Sequence, residues 1–414
     1  SHASFVLHAL ADGDEVNSLS TRFISSSIAN DIPYESTNGL LLSASKDSLR
    51  WEVPSVNYEK GTFNLLIRRG DDLTSRKNIL ETWNNLSLDP TQDNFISKVI
   101  GDSYKSIQGS GTGETYIKDN GTYPNKSKYV YVSDVFTTPK YLDENGDISV
   151  DEYSASLPHV SGSTIYSGSF RGGFTGGSNG DESHPKNWYE TITETNMQGL
   201  NLSTGQSGKT SYDDALDLLS NQDEYDFNLM LLPGILDDTH NAIASKAIQT
   251  CEDRGDCFVI IDPVGIGKEL TTVTTEAMTR DTNYAAMYYP WVQIADNQSN
   301  VNRWVPPSVV VGGMYAYNDK VSHAWMAPAG LNRGTLSTVK QAERKLSHGN
   351  RDELYDNNVN PIATFPGQGA VVYGQKTLQK KPSALDRINV RRLLIRVKKF
   401  IASSSRFLVF EQNT

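Results

Sequence analysis

Two short apolar runs with one helix-like segment between them constrain this chain more than any other feature. Residues 226–234 read DFNLMLLPG and residues 256–263 read DCFVIIDP. Each is a nearly unbroken apolar run of strand length, the pattern of a strand covered on both faces. Between them, LDDTHNAIASKAIQTCEDRG places acids at its start and Gly255 at its end, the order that capping and the helix dipole prefer. Strand, helix and strand in so short a span predict a βαβ unit, and its two strands must be parallel.

Around this unit the chain has two characters. In the first half, GTFNLLIRRGDD (residues 61–72) and KYVYVSDVF (128–136) read as strands, and RKNILETWNNLSLDP (76–90) reads as a helix and turn. Residues from about 104 to 190 are loop-rich. Within them SGSTIYSGSFRGGFTGGSNG (161–180) has seven Gly and five Ser in twenty residues, which predicts a surface excursion rather than core. From Ser207 onward, SYDDALDLLS is a short amphipathic helix, SVVVGGMYA (308–316) reads as a strand, residues 339–346 as a helix, and GAVVYGQKTL (369–378) as a strand. In RINVRRLLIRVKKFIASSS, Val390, Leu393, Leu394, Val397, Phe400 and Ile401 fall on one helical face, and RFLVFEQNT reads as a final strand. The expected fold is therefore α+β / α/β and multidomain. A β-rich first domain, 1–206, carries a loop-rich insertion at about 104–190, and an α/β domain containing the βαβ unit follows at 207–414.

The chemistry of enzymes is hard to find in these 414 residues. STGQSGKT (203–210) ends like a phosphate loop, but Ser203 stands where that motif requires Gly. GIGKEL (265–270) has Leu270 where a dinucleotide loop needs Gly. DENGDISVDEY (143–153) alternates like a calcium loop, yet its Gly146 is misplaced and the closing Glu is missing. No H-E-x-x-H motif occurs, and Cys251 and Cys257 have a spacing that suits neither a redox motif nor a zinc half-site. They are expected to be reduced thiols. The reading is no catalytic residue, no cofactor, no metal. No apolar run reaches membrane-span length. Net charge is −11, but residues 376–406 hold ten Lys or Arg against one Asp. An acidic body with one basic patch points to a specific acidic partner rather than to nucleic acid. DKVSHAWMAPAGLNRGTL (319–336), with Pro328, Gly330 and Gly334, is too irregular for one helix and is either a pocket wall or a joint.

Four stretches in order carry a resemblance: NVNRWVPPSVVVGGMYAYNDKVSHAWMAPAGLNRG (300–334), LYDNNVNPIATFPGQGAVVYGQKTL (354–378), DRINVRRLL (386–394) and RFLVFEQN (406–413). Together they resemble the sheath protein of contractile bacteriophage tails, of the T-even-like type. The likeness covers 207–414 well. Before that only LHALADGDEVNSLS and NLLIRRGDD fit. What the resemblance implies is a structural, non-enzymatic virion subunit, assembled in the host cytoplasm. It would polymerise helically around a tail tube and contract to drive that tube through the host envelope for genome delivery. Its implied partners are other sheath subunits, the tail tube protein, and baseplate and tail terminator proteins, with no nucleic acid and no membrane insertion. Family members have an N-terminal arm and a C-terminal continuation that knit subunits together. Their absence here implies a core fragment, truncated at the C-terminal end of its sheath core domain and monomeric on its own. The resemblance also implies that this domain is innermost, so Arg391, Arg392, Arg396, Lys398 and Lys399, lying mostly off the apolar stripe, would face the tube. Residues 319–336 become a structural joint, in which Trp325, Met326 and Pro328 dock into the core and Gly330 and Gly334 permit the turn.

Overall fold

The computed structural model describes residues 4–11, 13, 16–17, 46–73, 75–158, 170–177, 190–298 and 300–412. They divide into two compact units, Ser1–Gln108 with Ile117–Glu182 and Gly109–Tyr116 with Ser183–Thr414.

The first unit is built mainly of strands: β1 (Val6–Ala9), β2 (Leu49–Val53), β3 (Val56–Asn57), β4 (Thr62–Arg69), β5 (Ile79–Ser87), helix α1 (Ile96–Ile100), β6 (Tyr104–Gln108), β7 (Tyr116–Asn120), β8 (Val130–Ser133), helix α2 (Asp151–Ser156) and β9 (Phe170–Gly173). Its main sheet runs β3-β4-β2-β9, with β5 also on β4. On β4, Phe63, Leu65 and Ile67 alternate into the core beside Leu86, Ile96, Val130 and Val132. The opposite face of the same strand presents Arg68, which is buried and pairs with Glu52 (2.9 Å) and Asp72 (2.7 Å). This explains RRGDD locally, because a buried guanidinium needs fixed carboxylates around it.

Two expectations change here. Residues 79–87 are strand, not helix, because the long strand β4 offers an open edge and Leu65 and Trp83 pair across it. Cross-strand packing overrides the helix formers in ILETW. The region 104–190 also contributes to the core. Val130, Val132, Tyr141, Leu157 and Phe174 are buried in it, and β9 pairs with β2. Glycine richness did not keep residues 170–173 out of the sheet. Most of 161–180 lies outside the described residues.

The second unit contains α3 (Ser207–Leu219), β10 (Leu229–Leu236), α4 (Asn241–Arg254), β11 (Phe258–Asp262), α5 (Leu270–Ala277), β12 (Ala285–Tyr289), β13 (Val292–Asp296), β14 (Val301–Val305), α6 (Pro307–Val321), β15 (Val339–Ala342), α7 (His348–Asp356), β16 (Val359–Phe365), β17 (Gly369–Val372) and α8 (Ile388–Ser405). The central sheet has the order β10-β11-β12-β16-β17. Its first four strands are parallel, including the expected pair β10–β11, and β17 is antiparallel. Helix α4 ends as the sequence suggests, with Gly255 in the left-handed region at φ 68°.

Alternation along the two inner strands makes this a three-layer sandwich. Val259, Ile261, Ala285 and Met287 face a core with Ile243, Ala247, Val273 and Leu354. Phe258, Ile260, Ala286 and Tyr288 face a second core with Val311, Met314, Tyr315, Ile388 and Ile395. Helices α4, α5 and α7 therefore cover one face, and α6 and α8 the other. The mixed α/β class holds.

Three local expectations do not hold. Residues 308–316 lie in α6. Pro307 starts the helix, where its missing N–H costs nothing, and Val310, Val311, Met314 and Tyr315 bury one side. A β-branched run is helical here because its buried spacing is three and four, not two. Residues 339–342 are strand β15, paired with β13, where a helix was expected. Residues 406–408 form only a 3-10 turn, with the following residues exposed, and no described strand lies beside them.

Burial on both faces leaves polar groups at the strand ends dependent on protein partners. Asp262, at the end of β11, is fully buried, and it accepts hydrogen bonds from the Ser308 backbone N–H (3.0 Å) and hydroxyl at the start of α6. Burial outweighs these bonds and pushes its carboxyl pKa up to about 7. The folded chain thus keeps a proton that the unfolded chain releases near pH 4. The contribution of Asp262 to stability is full below that point and is lost as pH rises through about 7. Asp262→Asn keeps an acceptor for Ser308 and cannot ionise. Denaturant titrations between about pH 5 and pH 8 should show wild type losing about 2 kcal/mol more stability than the variant.

Candidate assembly interface

The final helix is where side chains and surface meet. In α8 the buried residues are Ile388, Arg391, Arg392 and Ile395, spaced i, i+3, i+4, i+7 like any buried face. Arg392 is anchored by Asp319 of α6, which accepts from both terminal nitrogens at 2.9 and 2.6 Å. Its guanidinium also lies over Tyr315, 4.8 Å from the ring centre. The Tyr315 hydroxyl meets that of Tyr288 at 2.6 Å. Burial pushes the Tyr315 pKa up to about 12, so this phenol pair stays protonated. Arg391 stacks over Tyr284 at 4.1 Å and donates to Asn283. A bidentate carboxylate and an aromatic face suit guanidinium better than ammonium.

Turning two arginines inward turns the apolar stripe outward. Leu394, Val397, Phe400 and Ile401 are exposed, Phe400 by 70%, and Phe407, Leu408, Val409 and Phe410 extend the apolar surface beyond the helix. Beside it lies an open groove of about 860 Å³, lined by Asp223, Asp226, Asp256, Arg396, Lys399 and Phe407 among others. Contiguous apolar surface on this scale marks a place where something else packs.

Elsewhere the look-alike motifs are occupied by the chain's own side chains. Lys209 pairs with Asp213 at 2.5 Å. The Gly267 N–H, in the turn that leads to α5, donates to Glu343. Asp143 accepts from the backbone of Asn145 (2.8 Å) and Asp147 (3.0 Å), which holds its carboxyl below the usual range. At the end of β10, Asp237 is paired with Arg280, and His240 accepts from the Leu236 N–H while burial lowers its pKa. Among the described residues no group of three His, Cys, Asp or Glu is placed to hold a metal.

Residues 207–378, within the second unit, match the phage tail sheath protein central domain family. A segment of 156 residues is 41% identical to the tail sheath protein of Vibrio phage KVP40, covering 37% of this chain and 22% of that protein. A segment of 193 residues is 34% identical to the tail sheath protein of Enterobacteria phage T4, covering 42% and 29%. These matches thus span less than a third of the length of either relative. A solved sheath complex of an extracellular contractile injection system in its contracted state is 26% identical, covers 46% of this chain and 50% of that chain, and superposes with a TM-score of 0.39.

Within the second unit the expected surface residues fall into three groups. Arg391 and Arg392 are buried and internally bonded, so they are not free to reach a partner. Lys399 is bound to Asp226 and to the Phe227 carbonyl. Arg396 and Lys398 remain exposed, Lys398 touching the Tyr284 hydroxyl at 3.3 Å. Of the joint residues, Pro328 is buried, but Trp325 is 41% exposed and stacks on His323 at 4.3 Å, rather than docking into the core. A legible signal for the inverted helix existed: Ile388, Arg391, Arg392 and Ile395 share the same spacing as the apolar stripe, and Asp319 could pair with one of them.

The turn itself is stitched to β17. The Gly330 N–H donates to the Val372 carbonyl, the Val372 N–H to that of Gly334, and the Gly334 N–H to that of Gly330, at 2.7–2.8 Å. A Cβ on Gly334 would sit 2.6 Å from the Val372 oxygen, whereas one on Gly330, at φ 87°, meets nothing. Gly334→Ala should therefore cost about 2–4 kcal/mol by backbone displacement, and Gly330→Ala only about 1 kcal/mol of strain, read as shifts in denaturation midpoint. Arg392→Ala should cost about 2–4 kcal/mol, since it strands Asp319 and opens space under α8, while Arg396→Ala should fall within about 0.5 kcal/mol of wild type. Parallel unfolding curves of the two variants check this.

Proposed function

We propose that this chain is the central part of a contractile tail sheath subunit, which packs helically around a tail tube and contracts to drive it through a host envelope. The observation that carries this reading is the sheath domain match over residues 207–378, on a unit whose last helix turns Phe400 and Ile401 to solvent. Heterologous contacts that do not close generate a helix rather than a ring. Copies that share two packings can store energy in one and release it in the other. The work is then a sum of small interface changes and needs no nucleotide. Neighbouring sheath subunits, the tube, the baseplate and the tail terminator are the partners of this reading, and the virion is its location.

In this reading the apolar face of α8 packs on another part of the assembly, and Arg396 and Lys398 supply the contact to the tube. Exposed ion pairs are worth roughly 0.2–1 kcal/mol each, weak enough to release during contraction and sufficient when repeated. The full-length protein mixed with tubes and imaged by electron microscopy should give tubes sheathed in stacked rings. Isolated subunits or unrelated filaments would overturn the reading. Arg396→Glu with Lys398→Glu should cut the sheathed fraction several-fold at low salt, with a smaller difference at high salt. Sheathing equal to wild type at both would remove these two residues from the tube contact.

A further inference from the structure

Cys251 and Cys257 are both fully buried, and their Sγ atoms are 3.3 Å apart. Cys251 lies in the last turn of α4, and Cys257 directly precedes β11. Gly255, at φ 68°, reverses the chain between them, and its N–H donates to the Cys251 carbonyl at 2.9 Å. This turn belongs to the central βαβ unit and is held from both sides. Arg254 pairs with Asp256 at 2.8 Å, and its terminal nitrogens donate to the Leu219 and Tyr225 carbonyls. A disulfide needs sulfurs about 2.0 Å apart, so closure from the present 3.3 Å contact takes about 1.3 Å of approach.

We infer that Cys251 and Cys257 form a latent intrachain disulfide site, closed by a small neutral peroxide, that ties the end of α4 to the start of β11. Both thiols are closed to solvent, which selects hydrogen peroxide over bulky disulfide reagents. Cys257 is the attacking sulfur. Its contacts with Cys251 and Arg254 hold its pKa below that of an ordinary thiol, while Cys251 is pushed up. The Cys257 thiolate attacks one peroxide oxygen and the O–O bond breaks. Cys257 becomes a sulfenic acid, and the departing hydroxide takes up the proton that Cys257 lost, giving water. The Cys251 sulfur then attacks the Cys257 sulfur. The S–S bond forms, hydroxide leaves, and with the Cys251 proton it gives a second water. Two electrons pass from the thiols to peroxide, and the balance closes. The site does not depend on the assembly reading.

The test uses the folded full chain, treated with hydrogen peroxide, then unfolded and alkylated with and without reductant. Trypsin cuts after Arg254, between the two cysteines. A disulfide therefore appears as peptide 247–254 linked to peptide 255–268, and the pair is lost on reduction. The expected result is that linked pair from monomeric protein, no alkylatable thiol before reduction, and a thermal midpoint raised by roughly 3–8 °C that returns on reduction. Cys251→Ser should leave Cys257 carrying one or two added oxygens instead. The wild-type peptide map decides the matter even where that variant does not fold. Two thiols still alkylatable after treatment, or oxygen added to the cysteines without a linked pair, would overturn the proposal, as would a link found only between chains.

Discussion

The second unit depends on one constraint: strands β11 and β12 are covered on both faces. Every residue of each is buried, and the alternate side chains feed two separate cores. Helices must then lie on both sides of the sheet, and polar groups at the strand ends must find partners within the protein. Asp262 on Ser308 and Asp237 on Arg280 are two such solutions. In many α/β proteins these strand ends open into a ligand crevice. Here the groups are spent on each other, and the Gly267 turn is bonded to Glu343.

The same constraint reaches α8. The second face of the sheet offers it the edge of α6, where Tyr315 and Asp319 stand ready for a guanidinium. Burying Arg392 against them, and Arg391 on Tyr284, fixes the rotation of the helix. The bidentate contact is specific in angle as well as energy. Once it forms, Leu394, Val397, Phe400 and Ile401 have nowhere to go but outward. A helix with arginine inside and phenylalanine outside is costly for an isolated chain and useful for one that packs against others. The first unit uses the same device on β4, where Arg68 sits among Glu52 and Asp72 while Phe63, Leu65 and Ile67 fill the core. For Glu52, burial works to raise the pKa, but Lys77 and Arg68 prevail and hold it low.

Much of the second unit was legible because its signals were local. The βαβ unit, its parallel pairing, the Gly255 stop and helices α3 and α8 follow from run length, periodicity and capping. Misreadings fell where a partner distant in sequence decided the state. ILETWNNLS became a strand because β4 had an open edge. VVVGGM became a helix because both its neighbours and the sheet beneath favoured a three-and-four spacing. RFLVF stayed out of any described sheet because no described strand lies beside it.

The candidate interface divides in the same way. Sequence alone determined that a long amphipathic helix with a dense basic set stands near the end of the chain, and that Gly330 and Gly334 bracket a turn. Tertiary structure decided which side of that helix is inside. Both faces have helical spacing, one apolar and one basic, and hydrophobicity by itself favours burying the apolar one. The choice went the other way because Asp319, Tyr315 and Tyr284 arrive from elements 70 to 110 residues away, and no local pattern records where a distant carboxylate will stand.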